Sequence, residues 1–426
     1  MIIVDKRKLL LIPVGLLALV IVLYVILISI IILPLIISSF AEDFQFKPLN
    51  ETKVTKVATI PKEYGDVSHS LIFLDPNLTR VGYVMYKGEK AIAVIDGVVG
   101  RPYDYIDWLF IFSSDGKHVA YEARDGEQEV VVLDGKEIRK HDGVMYFTFS
   151  PDSQRIAYAM KAGEKKFVTV DDSEHKQYEG VGQIVFSPDS KNVAYGATGS
   201  HWDDLFVVVN GKEGKVYKSR NPYIRPVFSP DSKLVAYVIN EGEYGNMKGF
   251  LVVGEKEGRK YDSIASDPVF SPDGRRIAFH ARNKGKYYLV VTDTSLREYE
   301  ETELTYDDLN SEVYFSPDGK IYFAASRKPK NVLSPIVPDR IEYYVVIDGK
   351  ESRSFNSLAL PVFSPDGKKA VYEMFSLRGS FIEIGKKRSR YYGPTYFYPQ
   401  FSPDGKKLNF VVMEGRDIWI MEAYTN

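Results

Sequence analysis

Carboxylates, serines and aromatics recur in this chain at fixed spacing, which raises the question of whether they form catalytic or metal-binding groups. The word Phe401-Ser402-Pro403-Asp404-Gly405 has intact copies, with Gly or Ser in fifth place, starting at Phe149, Phe186, Phe228, Phe270, Phe315 and Phe363. Two worn copies, Phe112-Ser113-Ser114-Asp115-Gly116 and Phe73-Leu74-Asp75-Pro76-Asn77, precede them. One aspartate per copy does not bring two carboxyl groups to the short separation that acid–base catalysis needs. Nor does any copy space acidic residues two apart, as calcium loops do. The repeated aspartate therefore reads as structural. The histidines, His69, His118, His141, His175, His201 and His280, show no His-x-His or His-Glu-x-x-His spacing, although a metal site assembled across a central channel stays open to them. The chain has no cysteine, which removes disulfides, thiolate chemistry and Cys-ligated zinc. It has no Gly-x-Ser-x-Gly elbow either, and no cofactor is expected.

The remaining chemistry lies in stretches that do not repeat. His201-Trp202-Asp203-Asp204 sets an aromatic among carboxylates, suited either to a ligand or metal contact or to ordinary loop packing. Tyr391-Tyr392-Gly393-Pro394-Thr395-Tyr396-Phe397-Tyr398 and Arg101-Pro102-Tyr103-Asp104-Tyr105-Ile106-Asp107-Trp108 are rich in aromatics. Such stretches serve peptide or glycan binding, or else form inner strands at a channel mouth. The candidate ligand- or partner-binding residues are thus Trp108, His201, Trp202, Asp203, Tyr391 and Tyr396, with no catalytic and no metal residue assigned.

The elements that must position these residues follow from the repeat. The motif phenylalanines are 37 to 48 residues apart, a period shared by propeller blades and helical arrays. Within Pro226–Ile264 the pattern predicts four short strands, at 226–228, 234–238, 250–253 and 259–261, with 241–248 as a polar loop. No helical periodicity occurs after residue 40, so each unit is a four-stranded blade. Pro presets φ in the Ser-Pro-Asp-Gly turn between the first and second strands, and Asp tolerates the position after it. Ile95-Asp96-Gly97, Leu133-Asp134-Gly135, Val209-Asn210-Gly211 and Ile347-Asp348-Gly349 are hairpin signals between the third and fourth strands. Runs such as Val130–Leu133 and Phe206–Val209 suit strands covered on both faces.

Phe-Ser-Pro-Asp-Gly-Lys-x-Ile/Leu/Val-Ala-Tyr/Phe, repeated, resembles the WD40-like (PD40) propeller repeat of the TolB C-terminal domain and of tricorn-type and prolyl-oligopeptidase-type peptidases. The resemblance spans roughly residues 65–426. It implies the fold and leaves function open, since unrelated activities share it. No α/β segment follows the last copy, so peptidase activity is not carried over.

Nine motifs predict nine blades, with eight plus an irregular unit as the alternative. The last unit, Tyr398–Asn426, supplies three strands, and the orphan strand Thr52–Ile60 is expected to provide its fourth, closing the ring. Both turn types then share one face, and the variable loops share the other, where sites are usually grafted. The largest insertion, Ser326–Arg340, suits a partner-docking projection or a neutral surface loop.

From Leu9 to Ser39 no charge occurs, long enough to cross a bilayer as a helix. Lys6-Arg7-Lys8 before it predicts a cytoplasmic tail at 1–8, a transmembrane signal anchor at 9–40, a linker at 41–51 and an extracytoplasmic propeller at 52–426. A signal peptide cut after Ser39-Phe40-Ala41 is the alternative. Residues 1–40 carry +2 of the total −2, leaving −4 on the rest, and no basic stripe suits nucleic acid. The expected role is a single-pass, membrane-anchored scaffold at the cell envelope that binds a protein, peptide or glycan without catalysis. The alternatives are a glycan lyase or hydrolase working at the channel mouth, and a surface-layer component.

Overall fold

Local chemistry alone makes each Ser-Pro-Asp-Gly word a turn, and in the computed structural model every intact copy joins the first two strands of a sheet. The structure describes residues 47–62, 72–201, 203–219, 224–242, 247–306, 309, 312–328, 341–352, 361–376, 379–392 and 399–425. In the copy at Phe401 the Gly405 N–H donates to the Ser402 carbonyl at 2.8 Å, and Gly405 adopts φ +66°. The Ser402 hydroxyl donates to Asp404 Oδ1 at 2.6 Å and accepts from the Lys407 N–H at 3.0 Å. Asp404 is held below the usual carboxylate range by that hydroxyl and by the Lys406 N–H. Three copies carry Ser153, Ser190 and Ser232 at the left-handed position, with φ between 61° and 64°. Each of these hydroxyls accepts the N–H of the aspartate one copy upstream: Asp115 and Asp152 at 2.9 Å, Asp189 at 3.0 Å. That bond between units offsets the strain of a non-glycine residue there.

The Asp-Gly hairpins are type I′ turns, with both central residues at positive φ, as at Asp134 (49°) and Gly135 (77°). Their aspartates also reach back to the first turn. Asp134 Oδ1 accepts the Val119 N–H at 2.9 Å, and Asp96, Asp171, Asn210 and Asp348 do the same for the residue opening their own second strand. The two repeated words are therefore bonded to each other, which fixes them on one face.

The described residues form nine four-stranded antiparallel sheets, three of them with an additional short strand. We number them as blades in chain order, blade 1 holding Phe73 and blade 9 holding Phe401. Every seam between successive blades, including blade 9 to blade 1, contains a buried apolar cluster, so the ring is closed. Third strands are covered on both sides: Val130, Val131 and Val132 have no exposed surface.

Blade 9 consists of Gln400–Phe401, Lys407–Glu414, Asp417–Tyr424 and, as its fourth strand, Glu51–Thr59. Lys47–Pro48 adds in parallel to Lys387–Arg388, the fourth strand of blade 8. Leu49, between the two, is buried in the seam of blades 8 and 9. The Glu51 carboxylate accepts the Arg390 N–H at 2.8 Å and the Tyr392 hydroxyl. Part of the stretch expected as linker is thus strand, bridging two blades. Fourth strands start at the turn face, and Lys47–Pro48 runs parallel to one. Lys47 therefore enters its sheet at the turn-face end.

Two local expectations are corrected. In blade 5 the fourth strand is Lys256–Glu257, with Tyr261 making a separate bridge to Gly249, because the tight turn at Gly254 pairs the chain at once. Also in blade 5, the second and third strands run further than predicted, Val235–Glu241 pairing with Lys248–Val253. For Arg101–Trp108 the strand alternative holds: Val98–Tyr103 and Tyr105–Phe112 are consecutive strands joined at Asp104 alone. The apolar run 9–39 and residues 329–340 of the insertion lie outside the described residues. Among the described residues no helix is long and apolar enough to cross a membrane.

Candidate functional site

First strands surround the channel of a propeller, and here they break contact with their second strands at a constant place. Register shifts occur between Ile106 and Phe110, Val144 and Phe147, and Val181 and Ile184. In blade 6 the strand splits into Ser263–Ile264 and Val269–Phe270, while in blades 5 and 7 it begins only at Val227 and Tyr314. Interruptions of this kind re-aim side chains. The residue three before the motif phenylalanine falls in each: Tyr146, Gln183, Arg225, Asp267 and Glu312 in blades 3 to 7.

Three of these residues meet. Arg225 Nη1 lies 3.4 Å from Asp267 Oδ2 and 3.3 Å from Glu312 Oε1. A side chain of blade 5 that touches blade 7 as well as blade 6 does so across the channel side of the ring. Burial, then the charge of Glu312, pushes the Asp267 carboxyl up to about 6, against the pull of Arg225. With both acids ionised the group carries one net negative charge around an exposed guanidinium, an arrangement that accepts a cationic group beside Arg225 or an anionic one on it.

A second acidic group lies at the seam of blades 2 and 3. Glu122, 8% exposed, is hydrogen-bonded to Glu129. Glu129 reaches from its own blade to accept the Val144 N–H at 2.8 Å and the Arg124 guanidinium at 3.0 Å. Burial, then the charges of Glu129 and of Asp107 in the first-strand bulge, raises the Glu122 carboxyl to about 8. Glu122 is thus held as the acid at neutral pH, the state a general acid needs. Among the described residues no group of three or more His, Cys, Asp or Glu side chains is arranged to hold a metal.

The six residues singled out in the sequence do not converge. Trp108 lies in the first-strand bulge of blade 2, where the backbone alone is described. His201 is exposed on blade 4, its carbonyl accepting the Asp204 N–H at 2.9 Å, and Asp203 and Asp204 both pair with the one Lys218. Tyr391 sits at the seam of blades 7 and 8, edge-on to Phe381 at 5.1 Å, its hydroxyl 3.5 Å from the Arg388 guanidinium. Trp202 and Tyr396 lie outside the described residues. The channel group went unnoticed because its members are 42 and 45 residues apart. Aligning the copies on the motif phenylalanine puts Arg225, Asp267 and Glu312 at one offset, and that signal was available in the sequence.

The described residues therefore form a nine-bladed, all-β propeller of four-stranded blades, ring-closed by Glu51–Thr59. Solved structures to which it is similar include the following. TolB from Acinetobacter baumannii shares 16% identity over 64% of this chain and 75% of that chain, with a TM-score of 0.32. The β-propeller domain of the trilobed protease from Pyrococcus furiosus shares 14% over 66% and 94%, with a TM-score of 0.38. Prolyl oligopeptidase B from Galerina marginata shares 13% over 72% and 55%, with a TM-score of 0.40. No family model matches the sequence, and no curated protein does.

Proposed function

We propose that this chain is a membrane-anchored, extracytoplasmic propeller that acts as a binding scaffold at the cell envelope, holding a cationic segment of its partner against the acidic groups of the channel. The observation that carries this reading is the direction of entry. The charge-free run Leu9–Ser39 is followed after a few residues by Lys47, which joins the ring from the turn face. Seven residues reach at most about 25 Å, so the turn face lies toward the bilayer and the variable-loop face away from it. Partners then approach the loops and the channel mouth unobstructed.

The chain has no native cysteine, so single-cysteine variants report topology cleanly. Lys117→Cys on the turn face and Glu127→Cys on the loop face are both expected to react with a membrane-impermeant maleimide on intact cells. A headgroup-level quencher is expected to reach a fluorophore on the first and spare one on the second. No labelling of either site from outside, or equal quenching of both, sinks the reading.

A specific observation favours a second reading. The Glu122 carboxyl, raised to about 8 beside Glu129, suits general-acid attack on a glycan entering the channel. Turnover of a polysaccharide library by the purified chain, lost in Glu122→Gln, would establish catalysis and displace the scaffold role.

A further inference from the structure

The seam between blades 7 and 8 differs from the other eight. Among the described residues its cluster has two buried members, Met374 and Phe381, with Tyr343, Tyr372 and Tyr391 packed beside them. Below this thin core the blades part, leaving a cleft of about 800 Å³. Val345 and Ile347 of blade 7 and Ala370 and Ile384 of blade 8 form its apolar floor. Its mouth is bordered by the residues of both turn types, Asp348 and Lys350 on one side and Gly367, Lys368, Gly385 and Lys386 on the other, so it opens on the turn face.

The charge on this mouth is one-sided. Six lysines line it, Lys320, Lys350, Lys368, Lys369, Lys386 and Lys387, against the two carboxylates Asp348 and Glu351. Both carboxylates are engaged elsewhere. Asp348 Oδ1 accepts the Ile321 N–H at 3.0 Å, and Glu351 binds the Arg327 guanidinium at 3.0 Å and the Tyr306 hydroxyl at 2.8 Å. Lys369 is likewise used, donating to Thr425 Oγ1 at 2.8 Å, and Lys320 and Lys368 pair with the aspartates of their own turns. Lys350 and Lys386, one from each blade, have no ion-pair partner among the described residues.

We propose that this cleft binds the headgroup of an anionic membrane phospholipid, with Lys350 and Lys386 on the phosphate and the proximal acyl chain on the apolar floor. An ammonium group is a point-charge phosphate binder, and two from opposite walls hold one anion between them. Basic pockets at a membrane surface recognise lipid headgroups in this way. The choice of a lipid rests on the orientation proposed above, which turns this mouth to the bilayer within the reach of the tether.

The test uses the full chain held in phosphatidylcholine nanodiscs, titrated calorimetrically with water-soluble dihexanoyl lipids. Dihexanoyl phosphatidylglycerol is expected to bind at least about tenfold tighter than dihexanoyl phosphatidylcholine or glycerol 3-phosphate. The double variant Lys350→Gln, Lys386→Gln is expected to lose that preference while keeping its melting temperature. Ala370→Leu, which fills part of the apolar floor, is expected to weaken the lipid and leave glycerol 3-phosphate unchanged. Equal binding of the zwitterionic lipid, equal binding of glycerol 3-phosphate, or indifference to the lysine changes overturns the proposal. So does a failure of all three ligands to bind. Since the lipids are added from solution, this result does not depend on the topology of the tail, which cysteine labelling reads separately.

Discussion

Replacing Glu122 by glutamine is expected to stabilise the ring at neutral and alkaline pH and to do nothing at pH 4. Glu122 is buried between blades 2 and 3 and titrates near 8, against an ordinary value of 4.5. An acid whose pKa is higher in the folded state than in the unfolded one favours folding while it is protonated in both. That contribution is complete below the unfolded value and is lost as pH rises through the folded one, here between about 4.5 and 8. The full gap corresponds to about 5 kcal/mol, of which roughly 3 kcal/mol is already lost at pH 7. Glutamine preserves the shape and the hydrogen bond to Glu129 and cannot ionise. With an unfolding entropy of roughly 0.8 kcal/mol/K for a ring of this size, the variant should melt about 4 °C higher at pH 7. The two proteins should melt together at pH 4 and diverge progressively up to pH 9. Scanning calorimetry of both across that range is the assay, and the difference between them removes every other titrating group. Melting curves that stay parallel from pH 4 to pH 9 would refute the argument, because Glu122 would then be ionised at no cost.

Two further outcomes follow from positions already described. Gly367, at φ +69°, has its missing Cβ direction only 2.5 Å from the Asp318 carboxyl carbon, whereas Gly385, at φ +58°, faces open space. Gly367→Ala should therefore destabilise by about 3 kcal/mol or more and Gly385→Ala by about 1 kcal/mol, read from urea midpoints. In the channel, Asp267 is protonated below about 6, which removes the net negative charge of its group. Affinity for pentalysine should fall several-fold from pH 7.5 to pH 5 in the wild type, and Asp267→Asn should be weak and flat across that range.

Turn chemistry was legible because it is local. Pro and Asp specify the Ser-Pro-Asp-Gly turn, and Asp-Gly the type I′ hairpin, whatever surrounds them, so counting turns gave nine units and counting strands in the last gave the need for a fourth. What escaped was set by partners distant in sequence. Lys47–Pro48 has no periodicity, and its pairing is decided by Lys387–Arg388 on another blade. Ser153, Ser190 and Ser232 looked interchangeable with glycine until the neighbouring Asp N–H groups supplied a reason for the hydroxyl. The His201–Asp204 stretch drew notice as an unusual composition, yet both its carboxylates pair with Lys218 within its own blade. Arg225, Asp267 and Glu312 are unremarkable singly and become a group through the curvature of the ring.

The closing strand also sets the order in which the molecule can be completed. Glu51 pairs with Ala423, and Thr59 with Asp417, so this early strand waits for the last hairpin. At 5–20 residues per second the interval is roughly 20–70 s of synthesis. Throughout it, Glu51–Thr59 is an unpaired edge, the kind that recruits other strands, and its Lys53 and Lys56 are the charges that discourage such pairing. Once the ring closes these lysines lie against Trp419 and pair with Glu414 and Asp417. The same side chains guard the nascent edge and then fasten it. Nascent chains stalled before residue 417 should accordingly be cut by protease within 51–59, and released full-length chains should resist.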